Sequence, residues 1–122
     1  MKEKIIVTGG CGYIGSHTTV ELINHNYEVV ILDDLSNSSA DTISRIKKIT
    51  GTTPTFIHID LKNEAKTKAV FREHSDASAV LNFAAHKAVG ESIQKPLTYY
   101  QNNLCALMNV LAALEENNIN GF

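Results

Sequence analysis

Short apolar runs alternate along the chain with longer stretches whose apolar residues recur at helical spacing. The runs are rich in β-branched residues and predict buried strands at Lys4–Thr8, Glu28–Asp33, Thr55–Ile59 and Ala79–Phe83. The amphipathic stretches predict helices at Tyr13 to about His25, Asp41 to about Ile49, Asn63 to about His74 and about Leu97 to Asn117. Strands that alternate with helices indicate an α/β fold, with residues 1–122 forming one domain.

The connections between these elements predict a doubly wound parallel sheet of the Rossmann type. Right-handed crossovers, with a switch point after the first strand, give the spatial order 3-2-1-4. A fifth strand is expected to begin at Asn120–Phe122, so we expect an incomplete sheet from which a substrate domain is also missing.

Charge and cysteine content narrow the range of partners. The formal net charge is -2, with 11 Lys and Arg against 13 Asp and Glu, and the sequence has no basic run. We therefore expect neither nucleic acid nor a membrane as partner. Cys11 and Cys105 lie far apart, without the spacing of a metal or redox site, which favours a reduced, cytoplasmic setting and no metal.

Three glycines follow the first predicted strand directly and open the first predicted helix. Gly9, Gly12 and Gly15 have the spacing G-x-x-G-x-x-G. Backbone N–H groups at the start of a helix attract a dinucleotide pyrophosphate, and residues without a Cβ let the ligand approach the backbone closely. The position of the motif predicts a dinucleotide site; the alternative is a glycine turn that binds nothing.

Carboxylates follow the second and third predicted strands. Asp33 lies near the distance from the glycines at which an acidic residue binds the adenosine ribose hydroxyls and repels a 2′-phosphate, so NAD is favoured over NADP. Asp34 is a second candidate beside it. The alternative is that Asp33 merely caps the loop, because Asp is common in turns. Asp60 is placed to contact the adenine amine, or else to cap the following helix.

Four segments resemble the UDP-glucose 4-epimerases, a family of extended short-chain dehydrogenases/reductases. They are VTGGCGYIGSH (7–17), LDDLSNS (32–38), KAVGES (87–92) and PLTYYQNN (96–103). The resemblance implies NAD as cofactor and a UDP-sugar substrate, with UDP-glucose and UDP-galactose interconverted through a 4-keto intermediate in galactose metabolism. Alternatives are a related nucleotide-sugar dehydratase or decarboxylase, or a non-catalytic NAD-binding module.

The resemblance also assigns cofactor contacts by position. It implies pyrophosphate contacts from the turn, ribose contacts from the second strand and its loop, adenine contacts after the third strand, and nicotinamide contacts after the fourth. The pyrophosphate contacts are Gly9, Gly12, Tyr13 and Ile14, and the ribose contacts are Asp33, Asn37 and Ser38. The adenine contacts are Asp60 and Leu61. The nicotinamide contacts are Phe83, Ala84, Ala85 and Lys87, and Asn102 completes the NAD contacts.

Two of these positions need comment. Lys87 is a cation suited to phosphate, and the alternative is an exposed loop lysine. The sequence departs from the family at Ala85-His86, where a glycine and an apolar residue are often found, and the added methyl group is expected to tighten the space by the nicotinamide ribose.

No catalytic residue is predicted in this chain. The family's chemistry needs a Tyr-x-x-x-Lys pair, in which the tyrosine acts as base. Four residues after Tyr13, Tyr27, Tyr99 and Tyr100 stand, respectively, His17, Ile31, Asn103 and Leu104. We therefore expect the chain by itself to be inactive.

The last predicted helix carries a wide apolar stripe between Leu104 and Leu114. The family resemblance implies a homodimer built on this helix. Packing of the stripe within the chain's own core is the alternative.

Overall fold

The fold is built on a four-stranded parallel sheet. The computed structural model describes residues 2–35, 39–84 and 96–122, with residues 96 and 98–103 described by their backbone. The strands are β1 (Lys4–Thr8), β2 (Glu28–Asp33), β3 (Thr55–His58) and β4 (Ala79–Asn82). Their order in the sheet is β3-β2-β1-β4, and every neighbouring pair is parallel. The predicted fold class and strand order are confirmed.

Helices follow each strand where the periodicity predicted them. They are α1 (Tyr13–Asn24), α2 (Asp41–Thr50), α3 (Glu64–Glu73) and α4 (Pro96–Glu116). Helix α2 ends at Gly51, whose φ of 78° is the left-handed conformation that terminates many helices.

Buried side chains cover both faces of the sheet, because successive residues of a strand point to opposite sides. On one face Ile5, Val7 and Ile31 form a core with Ile46 of α2, and α1 packs beside it. On the other face Ile6 and Val30 join Phe71 of α3 and Val110 of α4. The carboxyl ends of all four strands therefore lie at one edge, between two helical layers.

Gly121 pairs with β4 at the position where a fifth strand was predicted. It forms an isolated parallel bridge to Ala79, and its carbonyl accepts the Val80 N–H at 2.9 Å. The sheet thus extends beyond β4 on the side away from β1. In the part of the chain that the structure describes, we find no helix with the length and apolar character needed to span a bilayer.

Candidate functional site

The first glycine of the motif ends β1 in a conformation that only glycine adopts readily. Gly9 has φ of 69°, and its N–H donates to the Leu32 carbonyl at 2.7 Å. A Cβ on Gly9 would lie 2.7 Å from the Phe83 carbonyl carbon. The turn is therefore held closely between β2 and the end of β4.

Two further glycines allow close packing, Gly15 between α1 and the turn and Gly10 between the turn and β2. A Cβ on Gly15 would collide with the Gly9 carbonyl oxygen and lie 2.8 Å from the Gly10 Cα. A Cβ on Gly10 would lie 2.7 Å from the Ile31 side chain. The spacing analysis did not include Gly10. Its only sequence signal is that it directly follows Gly9, opposite a strand of buried residues.

The start of α1 presents backbone donors without partners. Gly12 is the residue before the first turn, and no side chain caps the helix. Among the described residues, the N–H groups of Tyr13, Ile14 and Gly15 find no acceptor, whereas the Ser16 N–H donates to the Gly12 carbonyl at 2.9 Å. The first turn also holds no acidic residue. Such a helix terminus favours an anion.

Open space borders these donors at Gly12. Among the described residues, a Cβ there would contact only the Gly9 carbonyl oxygen, at 3.3 Å. Tyr13 and Ile14 are 79% and 52% exposed, and the Tyr13 ring lies 4.6 Å from the His17 ring. The turn therefore offers polar backbone groups and two uncovered apolar side chains to a ligand.

Asp33 connects the end of β2 to the glycine turn. Its side chain is buried, and its Oδ2 accepts the Cys11 N–H at 3.0 Å. Its Oδ1 accepts the Leu35 N–H at 2.8 Å, which is a turn-capping bond of the kind that the sequence left open as an alternative. The carboxylate thus stabilises both its own turn and the glycine turn, and it lies beside the start of α1.

Asp34 and the residue after it form a restrained turn. Asp34 is half-buried, and its carbonyl accepts a hydrogen bond from Nε2 of His58 at 3.0 Å. Leu35 has φ of 61°, which is unusual for a residue with a side chain. Nothing in the spacing of the sequence indicates that His58 contacts this turn.

Cys11 lies in the glycine turn with its thiol buried. Burial, and secondarily the Asp33 carboxylate, raise the pKa of the Cys11 thiol from an ordinary 9.0 to about 12. The thiol is therefore neutral near pH 7 and serves as a small apolar packing group.

A buried threonine joins the ends of β1 and β4. The Thr8 hydroxyl donates to Oδ1 of Asn82 and accepts the Ala84 N–H at 3.3 Å. The Phe83 N–H donates to the Thr8 carbonyl at 2.9 Å. These bonds place Phe83 and Ala84 beside Gly9, at the edge predicted for the nicotinamide. Sequence analysis did not identify Thr8 or Asn82, because nothing in their spacing reveals a contact across 74 residues.

Asp60 and Leu61 follow β3 at the same edge of the sheet. Asp60 is exposed, and its Oδ1 accepts the Lys62 N–H at 2.9 Å. Asn63, not Asp60, caps α3 by accepting the Lys66 N–H at 3.0 Å. Leu61 is 5% exposed, and its side chain packs in the core, so a contact with adenine would have to come from its backbone.

Several predicted contacts lie outside the described residues. They are Asn37, Ser38, Ala85 and Lys87, and for Asn102 only the backbone, within α4, is described. The described residues contain no group of three side chains able to ligate a metal. The predicted cofactor contacts that the structure brings together at the carboxyl edge of the sheet are Gly9, Gly12, Tyr13, Ile14, Gly15, Asp33, Phe83 and Ala84.

These residues fit a dinucleotide. Partnerless amides at the start of α1 suit a pyrophosphate, and the room at Gly12 lets it approach. A carboxylate at the end of the neighbouring strand suits a ribose diol. The geometry of the described residues therefore supports dinucleotide binding.

Sequence comparisons show strong similarity to nucleotide-sugar enzymes. A family model described as GDP-mannose 4,6 dehydratase matches residues 6–121. UDP-glucose 4-epimerase of Bacillus subtilis is 52% identical over 112 residues, which are 92% of this chain and 33% of that protein. A UDP-glucose 4-epimerase sequence of Klebsiella pneumoniae is 44% identical over 98% of this chain and 85% of its own length. The chain spans about a third of the length of the Bacillus relative.

Solved structures show the same similarity. UDP-glucose 4-epimerase of Stenotrophomonas maltophila, crystallised with NAD and formylated UDP-arabinopyranose, matches 96% of this chain with a TM-score of 0.89 and 43% identity. The Bifidobacterium longum enzyme, in complex with NAD+ and UDP, matches 95% with a TM-score of 0.90 and 39% identity. The chain covers 34% of each of these two structures.

Proposed function

Because the chain belongs to the extended short-chain dehydrogenase/reductase family and matches UDP-glucose 4-epimerases within it, we propose that it is the NAD-binding portion of such an epimerase. The observation that carries the proposal is the set of partnerless amides at Tyr13, Ile14 and Gly15, next to the Asp33 carboxylate. The amides bind the pyrophosphate, and Asp33 binds the adenosine ribose. The enzyme would act on UDP-glucose and UDP-galactose, in galactose metabolism.

The remaining cofactor contacts extend this assignment along the edge of the sheet. Phe83 and Ala84, held beside Gly9, flank the nicotinamide half, and Asp60 lies on the adenine side. On the strength of the resemblance, we retain Asn37 and Ser38 as ribose contacts, Leu61 as an adenine contact, Ala85 and Lys87 as nicotinamide-side contacts, and Asn102 as a further NAD contact. Asp34 remains a candidate ribose contact because it lies beside Asp33.

The chemistry divides between this portion and the rest of the enzyme. A bound NAD would supply reversible hydride transfer at C4 of the sugar. This chain would bind and orient the cofactor. None of its tyrosines has a lysine four residues later, so we propose that it does not epimerise UDP-sugars by itself.

A dehydratase or decarboxylase of the same family is the second candidate, and the match to a dehydratase family model favours it. Such an enzyme would share the cofactor portion. Assay of the full-length gene product with UDP-glucose and with UDP-glucuronate separates the candidates. UDP-galactose formed from UDP-glucose supports the epimerase, and a dehydrated product of UDP-glucose or a decarboxylated product of UDP-glucuronate contradicts it. The two free cysteines, of which Cys105 is exposed, favour a reducing compartment, and we propose the cytoplasm.

Thermal unfolding with NAD and with NADP tests cofactor binding. A ligand that binds the native state stabilises it by about 1.4 kcal/mol for each tenfold rise in concentration above Kd. We expect NAD to raise Tm in this way and NADP to have little effect, because the Asp33 carboxylate repels a 2′-phosphate. Equal stabilisation by NADP would contradict the role of Asp33, and no shift with NAD would contradict the proposed function.

Asp33→Asn is the matching variant. It keeps the shape of the side chain and removes its charge, so we expect the preference for NAD over NADP to fall at least tenfold. Hydrogen bonds to a charged group contribute about 1.5–3 kcal/mol, so the variant should also be less stable. Asp76→Asn is the control, because it removes an equal, exposed charge that pairs with Lys4. Nucleotide preference should not change in the control.

We also propose a homodimer through α4. Leu104, Met108 and Leu111 are 55%, 66% and 42% exposed, at spacings of four and three residues that align them along one side of the helix. Core packing on α4 instead uses Val110, Ala113 and Leu114. The exposed stripe is thus additional to the face that the chain's own core covers, and the family resemblance implies that a second copy covers it.

Sedimentation velocity over a range of concentrations tests the dimer. Met108→Glu should shift the chain to monomer, because two copies would each bury a charge at the interface. Ile49→Glu is the control, since Ile49 is equally exposed, at 67%, but lies on α2. A parent chain that stays monomeric at high concentration would overturn the proposal.

A further inference from the structure

We propose that His58 is a positioning residue for the adenosine ribose site, because it holds the turn that aims the Asp33 carboxylate. This inference rests on the proposed NAD-binding function. His58 is the last residue of β3 and lies in register with Asp33 on β2. Its Nε2 lies 3.0 Å from the Asp34 carbonyl oxygen. A carbonyl oxygen only accepts, so Nε2 carries the proton and donates it.

The turn that His58 contacts contains the strained residue of the site. Leu35 has φ of 61°, a conformation that is strained for a residue with a side chain and persists only where surrounding contacts impose it. Its N–H donates to Oδ1 of Asp33 at 2.8 Å, and its side chain packs against the core on the α1 and α2 face. The His58 bond holds the other end of the same peptide unit, the Asp34 carbonyl.

Holding that peptide also determines the direction of the Asp33 carboxylate. The Leu35 N–H binds one carboxylate oxygen, and the Cys11 N–H binds the other. The Ile59 N–H already holds the Asp33 carbonyl at 3.1 Å, so the backbone before the peptide is tied to β3 without His58. Without the imidazole donor, the Asp34–Leu35 peptide can rotate toward an unstrained conformation. The carboxylate then loses the Leu35 amide, one of the donors that aim it.

The test compares His58→Ala with His58→Gln, whose side-chain amide restores a donor near the position of Nε2. His25→Ala is the control, because His25 is also an exposed histidine whose ring contacts a backbone carbonyl, that of Glu21, at the far end of α1. The first readout is hydrogen exchange of the Leu35 amide without ligand. The second is the Kd for NAD and for ADP-ribose, which lacks the nicotinamide.

We expect His58→Ala to speed hydrogen exchange of the Leu35 amide. It should also raise the Kd for NAD and for ADP-ribose about three- to tenfold, which is the effect expected from the loss of one hydrogen bond. His58→Gln should recover most of both effects, and His25→Ala should show neither. A loss of NAD affinity that ADP-ribose does not share would place the effect at the nicotinamide and overturn the inference.

The two readouts separate this inference from the proposed function. An unchanged rate of hydrogen exchange at the Leu35 amide in His58→Ala would show that His58 does not hold the Asp34–Leu35 peptide, even if NAD binds normally. Faster exchange with unchanged Kd values would overturn the positioning role while leaving NAD binding intact. If the unaltered chain binds neither NAD nor ADP-ribose, the proposed function fails, and the positioning role fails with it.

Discussion

At the scale of single residues, the glycines of the turn differ in what a methyl group would meet. Gly15→Ala places its Cβ against the Gly9 carbonyl, and overpacking of this kind costs about 1–3 kcal/mol. Gly12 has φ of -76°, which alanine adopts, and its Cβ would meet one atom at 3.3 Å. We therefore expect Gly12→Ala to fold with nearly unchanged stability but to bind NAD at least tenfold more weakly.

Urea unfolding and NAD titration of the two variants check this division. Gly51→Ala serves as a reference, because Gly51 has φ of 78° and open space around it, so only backbone strain of about 1–2 kcal/mol is added there. Gly12→Ala that retains full NAD affinity would show that the pyrophosphate does not lie against this residue.

Cys11 makes stability depend on pH in the alkaline range. Its folded pKa of about 12 exceeds the ordinary 9.0, so the folded state keeps a proton that the unfolded state releases. The contribution is complete below pH 9 and is lost as the pH rises toward 12. In that window the Cys11 term should lower the free energy of unfolding by up to about 1.4 kcal/mol per pH unit.

The difference in the free energy of unfolding between the parent chain and Cys11→Ala isolates the contribution of Cys11 from those of other groups that titrate in the same range. The stability difference should shrink as the pH rises from 9 to 12, and a constant difference would contradict it. Alkylation gives a second check, because the exposed Cys105 should react in the native state and the buried Cys11 only after unfolding.

The sequence could predict only those residues of the candidate site whose place at the end of a strand determines where they lie in the fold. Gly9, Gly12, Gly15 and Asp33 follow strand ends, and strand ends meet at one edge of a parallel sheet. The Thr8–Asn82 pair and the His58–Asp34 bond depend on side-chain partners from different strands. Periodicity carries no information about such partners.

At the scale of elements, the start of α3 separates a cap from a candidate ligand contact. Asn63 accepts the Lys66 N–H, so Asn63→Ala should cost about 1 kcal/mol without changing the Kd for NAD. The exposed Asp60 carboxylate makes local contacts with Lys62: it accepts the Lys62 N–H at 2.9 Å and lies 3.8 Å from the Lys62 ammonium. Asp60→Ala should therefore weaken NAD binding with a smaller loss of stability.

Chemical denaturation and isothermal titration of these two variants give both quantities. The opposite pattern, with stability lost in Asp60→Ala and affinity lost in Asn63→Ala, would restore the capping alternative for Asp60 and move the ligand contact to Asn63.

Element positions were predictable to within a residue or so, but the faces of the helices less so. Strand β4 ends at Asn82 rather than Phe83, although the Phe83 N–H still bonds to β1. On α4, the apolar residues Leu104, Met108 and Leu111 form an outer stripe, while the equally apolar Val110, Ala113 and Leu114 pack in the core. Hydrophobicity alone does not show which of two apolar sides the core covers.

At the scale of the whole molecule, the strand order followed from the handedness of crossover connections, and the structure confirms it. Chirality restricts the topology so strongly that few arrangements needed to be considered. The location of the site at the carboxyl edge followed from the same topology. Its finer shape depends on contacts between residues far apart in sequence, and these required coordinates.

The pairing of β1 with β4 has a consequence for the newly made chain. The Thr8–Asn82 bond joins residues 74 positions apart, and Phe83 packs against Gly9 only once β4 has docked. A nascent polypeptide that has left the ribosome only as far as β3 already contains the glycines and Asp33. It still lacks β4 and the residues Phe83 and Ala84 that lie beside Gly9. Binding of the cofactor during synthesis should therefore begin only when β4 has emerged. The bound cofactor would then stabilise the newly formed sheet.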